Sequence, residues 1–197
     1  MAKKILGRIA AVAAGCVALP VVLAGVAQGH GYTTNAPSRA YHCKTGAVAN
    51  CGPIQWEPQS VEGPKGFPAA GPANGKICAG GLGQFAQLDD PRGGSWPAKQ
   101  VGSGSNLTFS WTLTAAHATT SFRYFITKNG WNPSAPLTRD QLESQPFYSV
   151  PFNGQRPGFT VTHTGKLPAK SGRHLVLAVW DIADTGNAFY QCADVQF

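Results

Sequence analysis

Two histidines in this 197-residue chain could do chemistry together. His30 follows Ala27-Gln28-Gly29, and a cut after Gly29 would make it the first residue of the mature protein. An N-terminal histidine offers three nitrogens close together: a free α-amine, Nδ1 and Nε2. The amine and Nδ1 can chelate one metal ion from a single residue. One more imidazole completes a three-nitrogen site, and His117 in Thr114-Ala115-Ala116-His117-Ala118-Thr119 is the candidate, with small neighbours that leave room around its ring. Taken alone, His117 reads as a hydrogen-bonded loop histidine; the pairing with an N-terminal histidine is what points to a metal. Neutral nitrogen donors without thiolates or a dense carboxylate cluster favour copper or zinc over calcium or magnesium. The Irving–Williams order then favours Cu(II) among divalent ions.

The cut is itself legible. Lys3, Lys4 and Arg8 form a positive n-region, and residues 9–27 are apolar or small and carry no charge. Ala27 and Gly29 are the small residues a signal peptidase needs at −3 and −1. No stop-transfer pattern follows, so residues 1–29 read as a cleaved signal peptide rather than an anchor, and the mature protein as secreted. The rival is Ala13-Ala14-Gly15-Cys16, which resembles a lipoprotein acylation site. It lacks the larger aliphatic residue three before the cysteine and lies inside the apolar run.

Residues 30–197 are enough for one domain with a real core. They keep thirteen basic side chains against nine acidic ones, a net charge of +4. With no Lys/Arg cluster and no basic helix, nucleic acid is excluded as a partner. No membrane contact is expected after processing, and a monomer is expected. Charged residues are few (13%) while Gly (24) and Pro (15) are many, so the surface must be built from loops and uncharged polar groups. Four cysteines remain after the leader: Cys43, Cys51, Cys78 and Cys192. An even number in an exported chain reads as two disulfides, with three connectivities open. Cys43–Cys51 is the local pairing and would pin a loop near the N-terminus. Cys78–Cys192 would then tie a long loop to the last strand. No Cys-x-x-Cys pair supports a thiolate metal site.

The elements that must position the histidines come in two textures. Residues 36 to about 104 are rich in Gly, Pro, Asn and Gln with little periodicity, a long irregular region of the kind that tends to be functional. From Asn106 the chain alternates strictly to Thr114, with Leu107, Phe109, Trp111 and Leu113 on one face. Residues 119–128, 147–152, 159–164, 174–182 and 189–197 read as further strands, and 138–143 as a single helical turn. Short strands with turn signals between them predict an all-β, two-sheet antiparallel sandwich with a long irregular loop region between its first strands. The spacing shows no repeat and no linker, hence no second domain. His117 then falls where two strands meet, at the rim of the sandwich, within reach of the N-terminus.

Four segments, in order along the chain, resemble a bacterial lytic polysaccharide monooxygenase of the chitin-binding type, auxiliary activity family ten. They are His30-Gly31-Tyr32, Trp56-Glu57-Pro58-Gln59-Ser60-Val61-Glu62-Gly63, Thr114-Ala115-Ala116-His117, and the stretch from Trp180 through Asp184 and Asn187 to Phe189-Tyr190. The resemblance covers essentially residues 30–197 and implies a fibronectin III/immunoglobulin-like sandwich. It implies that His30 and His117 hold one copper ion per chain in a histidine brace. Phe189 would fill one axial side and Ala115 would crowd the other. Glu62 would be a carboxylate near the oxygen-binding position, and Trp180 a core residue close to copper. Trp56, Glu57, Gln59, Ser60, Thr114, Asp184 and Asn187 would belong to a flat substrate face.

These roles are physically sensible. A crystalline polysaccharide is flat, and a planar face with one aromatic ring and several hydrogen-bonding groups suits it. Copper cycles between Cu(I) and Cu(II), which zinc does not. The resemblance therefore implies a copper monooxygenase that uses O2 or H2O2 and an external reductant to cleave chitin, with cellulose as the alternative substrate, by C1 oxidation. A noncatalytic chitin-binding protein and a secreted copper carrier are the alternatives. Without the resemblance, Glu57 and Glu62 could be a glycosidase acid pair, although five residues apart in one loop is weak support. Phe189 and Trp180 would be core aromatics, and His42, His163 and His174 ordinary loop or strand histidines. His163 alternates with Phe159 and Val161, which predicts partial burial.

Overall fold

A computed structural model describes residues 29–197. The expected leader therefore lies outside the described residues, apart from Gly29. In chain order the strands are β1 (His30–Asn35), β2 (Glu62–Pro64), β3 (Lys99–Gln100), β4 (Asn106–Ala115), β5 (Thr119–Ile126), β6 (Tyr148–Pro151), β7 (Thr160–Lys166), β8 (Arg173–Ile182) and β9 (Asn187–Gln196), with one α-helix, α1 (Arg39–Lys44). One sheet has the order β1-β4-β7; the other runs β2-β9-β8-β5-β6, with β3 added to β9. All pairings are antiparallel except β3 with β9. This is the sandwich that the strand pattern predicts.

Burial explains why the strands read differently. In β4 alternate residues are buried, because its outer face meets water. Leu107, Phe109, Trp111 and Leu113 pack there against Phe122, Trp180 and Phe189 of the facing sheet. In β8 every residue after the first is buried. Its second face is covered by the irregular region, whose Ile54, Ile77, Phe85 and Trp96 join Phe125, Leu177 and Val179 in a second core. Each such side chain contributes about 1.5–3 kcal/mol by burial, which offsets ordering a backbone at roughly 1–2 kcal/mol per residue. That is how a Gly/Pro-rich stretch holds one conformation.

Two covalent ties and one ion network fix the region. The structure pairs Cys43 with Cys51 and Cys78 with Cys192. The second tie, 114 residues apart in sequence, fastens the loop to β9. Asp194 of β9, 2% exposed, accepts from Arg39 of α1 at 2.8 Å and from Arg173 at 3.0 Å. The helix, β1, β2 and β3 were not legible as elements. For α1, Ser38 as N-cap, accepting from the Tyr41 N–H at 3.2 Å, is the one local signal, and six residues are too few for periodicity.

His163 is 8% exposed, with Nδ1 2.9 Å from the Tyr124 hydroxyl. Burial holds its pKa down to about 4. An unfolded histidine titrates near 6.5. Between those values the unfolded state binds the extra proton, so stability is full above about pH 6.5 and falls as pH drops toward about 4. His42 and His174, also lowered by burial, act in the same direction. Asp89, raised by burial to about 6, acts oppositely: it stabilises the fold at low pH and loses that contribution as pH rises through about 6. His163→Gln is therefore expected to flatten the acid limb of the stability curve by at most about 3 kcal/mol. Urea unfolding from pH 7 to 4 measures it; an unchanged limb would assign the loss to other groups.

Candidate metal centre and binding face

The two histidines meet at one end of the sandwich. β1 pairs with β4 so that His30 lies opposite Ala115 and Gly31 opposite Leu113. β4 ends there, and the turn into β5 carries His117. A carbon placed at the Cβ position of Gly29 would lie 3.4 Å from His117 Cβ, 3.1 Å from the Phe189 ring and 3.3 Å from the Trp180 ring. The main chain entering His30 thus runs directly against His117. Gly31 permits this approach, because a Cβ there would come within 2.5 Å of Leu113 Cδ2.

Beneath the histidines the site is apolar. Phe189 is fully buried, its ring centroid 6.2 Å from that of His30. Trp180, also fully buried, lies 5.0 Å from Phe189 and donates through Nε1 to Thr119 Oγ1 at 2.8 Å. Together they make a dry floor, and Ala115 flanks His30 in the sheet.

His117 is less open than a rim position suggests, since its side chain is only 16% exposed. Its Nδ1 lies 3.2 Å from Asp184 Oδ1. With Nδ1 donating to that carboxylate, Nε2 is the nitrogen left to present a lone pair to a metal. Asp184, expected on the substrate face, thus also orients His117. Lys65, which carried no sequence signal, fixes the turn that bears Asp184: its ammonium donates to the carbonyls of Thr185, at 2.6 Å, and Ile182, and its N–H to Gly186 O at 2.8 Å. Asp184→Ala is expected to lower Cu(II) affinity about 10–100-fold, the range for losing a partner that orients a ligand, with the unfolding temperature little changed. Calorimetric titration of Cu(II) into the metal-free protein checks it; wild-type affinity would end the orienting role.

The donor set fits copper. Among the described residues no three His, Cys, Asp or Glu side chains gather as a metal site; two imidazoles and an α-amine would be three neutral nitrogen donors of the kind copper favours. His30 follows Gly29, which packs on His117, so an α-amine on His30 would be the main-chain nitrogen nearest in sequence to that contact.

Around this point the structure brings together the expected face. β2 pairs with β9 so that Glu62 lies opposite Phe189, and Glu62 Oε1 accepts from Asn187 Nδ2 at 2.8 Å. Gln59 O accepts from the Gly31 N–H at 3.0 Å, fastening the loop to β1. Trp56 on that loop is 80% exposed, and Thr114 is exposed beside Ala115. The face is not flat throughout. His30, Glu57, Ser60, Glu62 and Asn187 line a groove of about 690 Å³ together with residues of the 71–82 loop, including Lys76. Gly63 lets the groove floor close: a Cβ there would fall 2.2 Å from Gly80 O. The groove depends on a loop distant in sequence, so no local pattern announces it.

Known proteins resemble this chain in sequence and fold. A family model described as lytic polysaccharide mono-oxygenase, cellulose-degrading, matches residues 30–195. The AA10 family lytic polysaccharide monooxygenase C of Mycosarcoma maydis is 51% identical over 172 residues, 85% of this chain and 52% of that protein. GlcNAc-binding protein A of Shewanella oneidensis is 44% identical over 172 residues, 87% of this chain and 36% of that protein. The chain spans about half or less of the length of these curated relatives. An AA10 lytic polysaccharide monooxygenase structure from Streptomyces lividans superposes with a TM-score of 0.83 at 54% identity, covering 85% of this chain and 100% of that one. A Bacillus amyloliquefaciens structure in complex with Cu(I) gives 0.77 at 41% identity, covering 85% and 99%.

Proposed function

The chain belongs to the lytic polysaccharide monooxygenase family, and from that premise we propose that it is exported, loses residues 1–29, and cleaves crystalline chitin by oxidation at C1. The family is copper-dependent. The observation that supports the reading is the packing of Gly29, the residue before His30, against His117. His30, through its amine and Nδ1, and His117, through Nε2, would hold the ion. Copper supplies one-electron redox chemistry, drawing on an external reductant, that activates O2 or H2O2 for hydrogen abstraction from a glycosidic carbon.

The surrounding residues prepare that chemistry. Phe189 and Trp180 keep water from beneath the site. The Glu62 carboxylate, held by Asn187, positions the co-substrate or holds a proton at its Oε atoms. Trp56 offers an exposed ring to a sugar face, and Glu57, Gln59, Ser60 and Thr114 offer hydrogen bonds around it. The polar groove gives an acetamido substituent somewhere to go, which a plain glucose polymer does not need. GlcNAc-binding relatives support the same choice, although the description of the matching family model names cellulose. Those relatives' names also sustain a second reading, a noncatalytic chitin-binding protein. Mass spectrometry of products from β-chitin and from cellulose, with copper and ascorbate, decides. Aldonic acids from chitin are expected. Binding without oxidised products would favour the second reading, and oxidised products from cellulose alone would overturn the substrate.

A further inference from the structure

Among the described residues only two large apolar side chains are exposed, Trp56 at 80% and Phe159 at 65%. A single exposed ring needs no explanation. The positions of these two do. Backbone bonds link them across the end of the sandwich that carries His30. The Gly31 N–H donates to Gln59 O at 3.0 Å, Gly31 lies opposite Leu113, and the Leu113 N–H donates to Phe159 O at 2.7 Å. The loop that carries Trp56 and the start of β7 at Phe159 therefore lie on opposite sides of the β1–β4 pair that bears His30. Three steps of strand spacing, roughly 14 Å, separate Gln59 from Phe159.

The segment before Phe159 is polar and well held. It runs Asn153-Gly154-Gln155-Arg156-Pro157-Gly158. The Gly154 N–H donates to Thr119 O at 2.8 Å, and Gln155 O accepts from the Thr119 N–H at 3.0 Å. Pro157 is buried, whereas Arg156 is exposed and lines a cavity of about 240 Å³ with His117 and Asp184. A ring fixed in this way binds without the ordering cost of a mobile loop.

Resting on the polysaccharide reading above, we infer that Phe159, presented by the 153–159 segment, is a second aromatic platform for the sugar chain. It engages the polymer on the side of the metal opposite Trp56. The substrate footprint then crosses the metal centre instead of ending at it. Stacking needs only the apolar face of a sugar ring, which Phe supplies, and Arg156 adds donors to neighbouring hydroxyl or acetamido oxygens.

The test is a set of binding isotherms on β-chitin and cellulose for wild type, Phe159→Ala, Phe159→Tyr and Trp56→Ala, all copper-loaded, with unfolding temperature as a check on folding. Phe159→Ala is expected to weaken binding about fivefold or more, the low end for a lost stacking partner. Phe159→Tyr keeps the ring and should bind like wild type, and copper affinity should not move in any variant. In the Phe159→Ala/Trp56→Ala double variant the two losses should multiply, because the rings are far apart and stack on different sugar rings. Wild-type binding by Phe159→Ala, with Trp56→Ala impaired, would overturn this inference and leave the polysaccharide reading intact. A wild-type protein that binds neither polymer would overturn both. A Phe159→Tyr variant as weak as Phe159→Ala would show that the ring does not act by stacking.

Discussion

A form of the protein beginning Met-His30 is expected to fold, to form both disulfides when oxidised, and to fail both at tight copper binding and at polysaccharide oxidation. The brace needs amine and imidazole on the same residue, because the chelate ring closes through their shared Cα. A free α-amine has a pKa of about 7.7–8.0, so a metal displaces its proton near neutrality. An added residue turns that nitrogen into an amide, a far poorer donor. The structure adds a steric reason. A residue before His30 sits against His117, with its Cβ position 3.4 Å from His117 Cβ and 3.1 Å from the Phe189 ring. Glycine fits there as the last residue of a leader; methionine carries a side chain into that space. Loss of a partner that merely orients a ligand costs 10–100-fold in affinity, so loss of a direct donor should exceed about 100-fold. The comparison uses two preparations, each N-terminus verified by intact mass, assayed by calorimetry and by oxidised products. Equal affinity with the methionine retained would remove the brace.

Glu62→Gln is the second large effect. The substitution keeps length and shape, and its amide oxygen can still accept from Asn187 Nδ2, as Glu62 Oε1 does at 2.8 Å. What disappears is the charge and the capacity to hold a proton. Turnover is expected to fall roughly 10²-fold or more, in the range of general acid–base groups. Copper affinity should change little, because the brace draws its donors from His30 and His117 and not from Glu62, which enters the site through its pairing opposite Phe189. Turnover measured under reductant, alongside copper affinity, separates the two effects. A fully active variant would reduce Glu62 to a wall of the groove. A variant that loses copper would make it part of the metal's support.

Both predictions use residues whose types the sequence displays and whose meeting it does not. The sequence by itself determined what local chemistry can determine. Alternation put Leu107, Phe109, Trp111 and Leu113 on one face of β4, and all four are buried, because period-2 patterning follows directly from strand geometry. Residues 174–182 read as a strand from their apolar run, and the structure buries every one of them. His30 behind a leader, His117 at a strand end and the four motif segments pointed to the copper family.

Tertiary structure decided the rest, because the decisive contacts join distant segments. His117 and Asp184 are 67 residues apart in sequence, and Glu62 and Asn187 are 125 apart. No periodicity couples such positions. They meet because the sheet register sets Ala115 beside His30 and Phe189 beside Glu62. Short elements escaped notice for a related reason. β1 and β2 are too brief or too polar for propensity to mark them, and they form because β4 and β9 offer edges to pair with. Lys65 became meaningful only once it reached the carbonyls of the 182–186 turn. The groove was invisible for the same cause: part of its lining is a loop carried to the site by a disulfide to β9. Residue types along the chain fix which chemistry is possible; long-range pairing, paid for by burial in two cores, fixes where its parts converge.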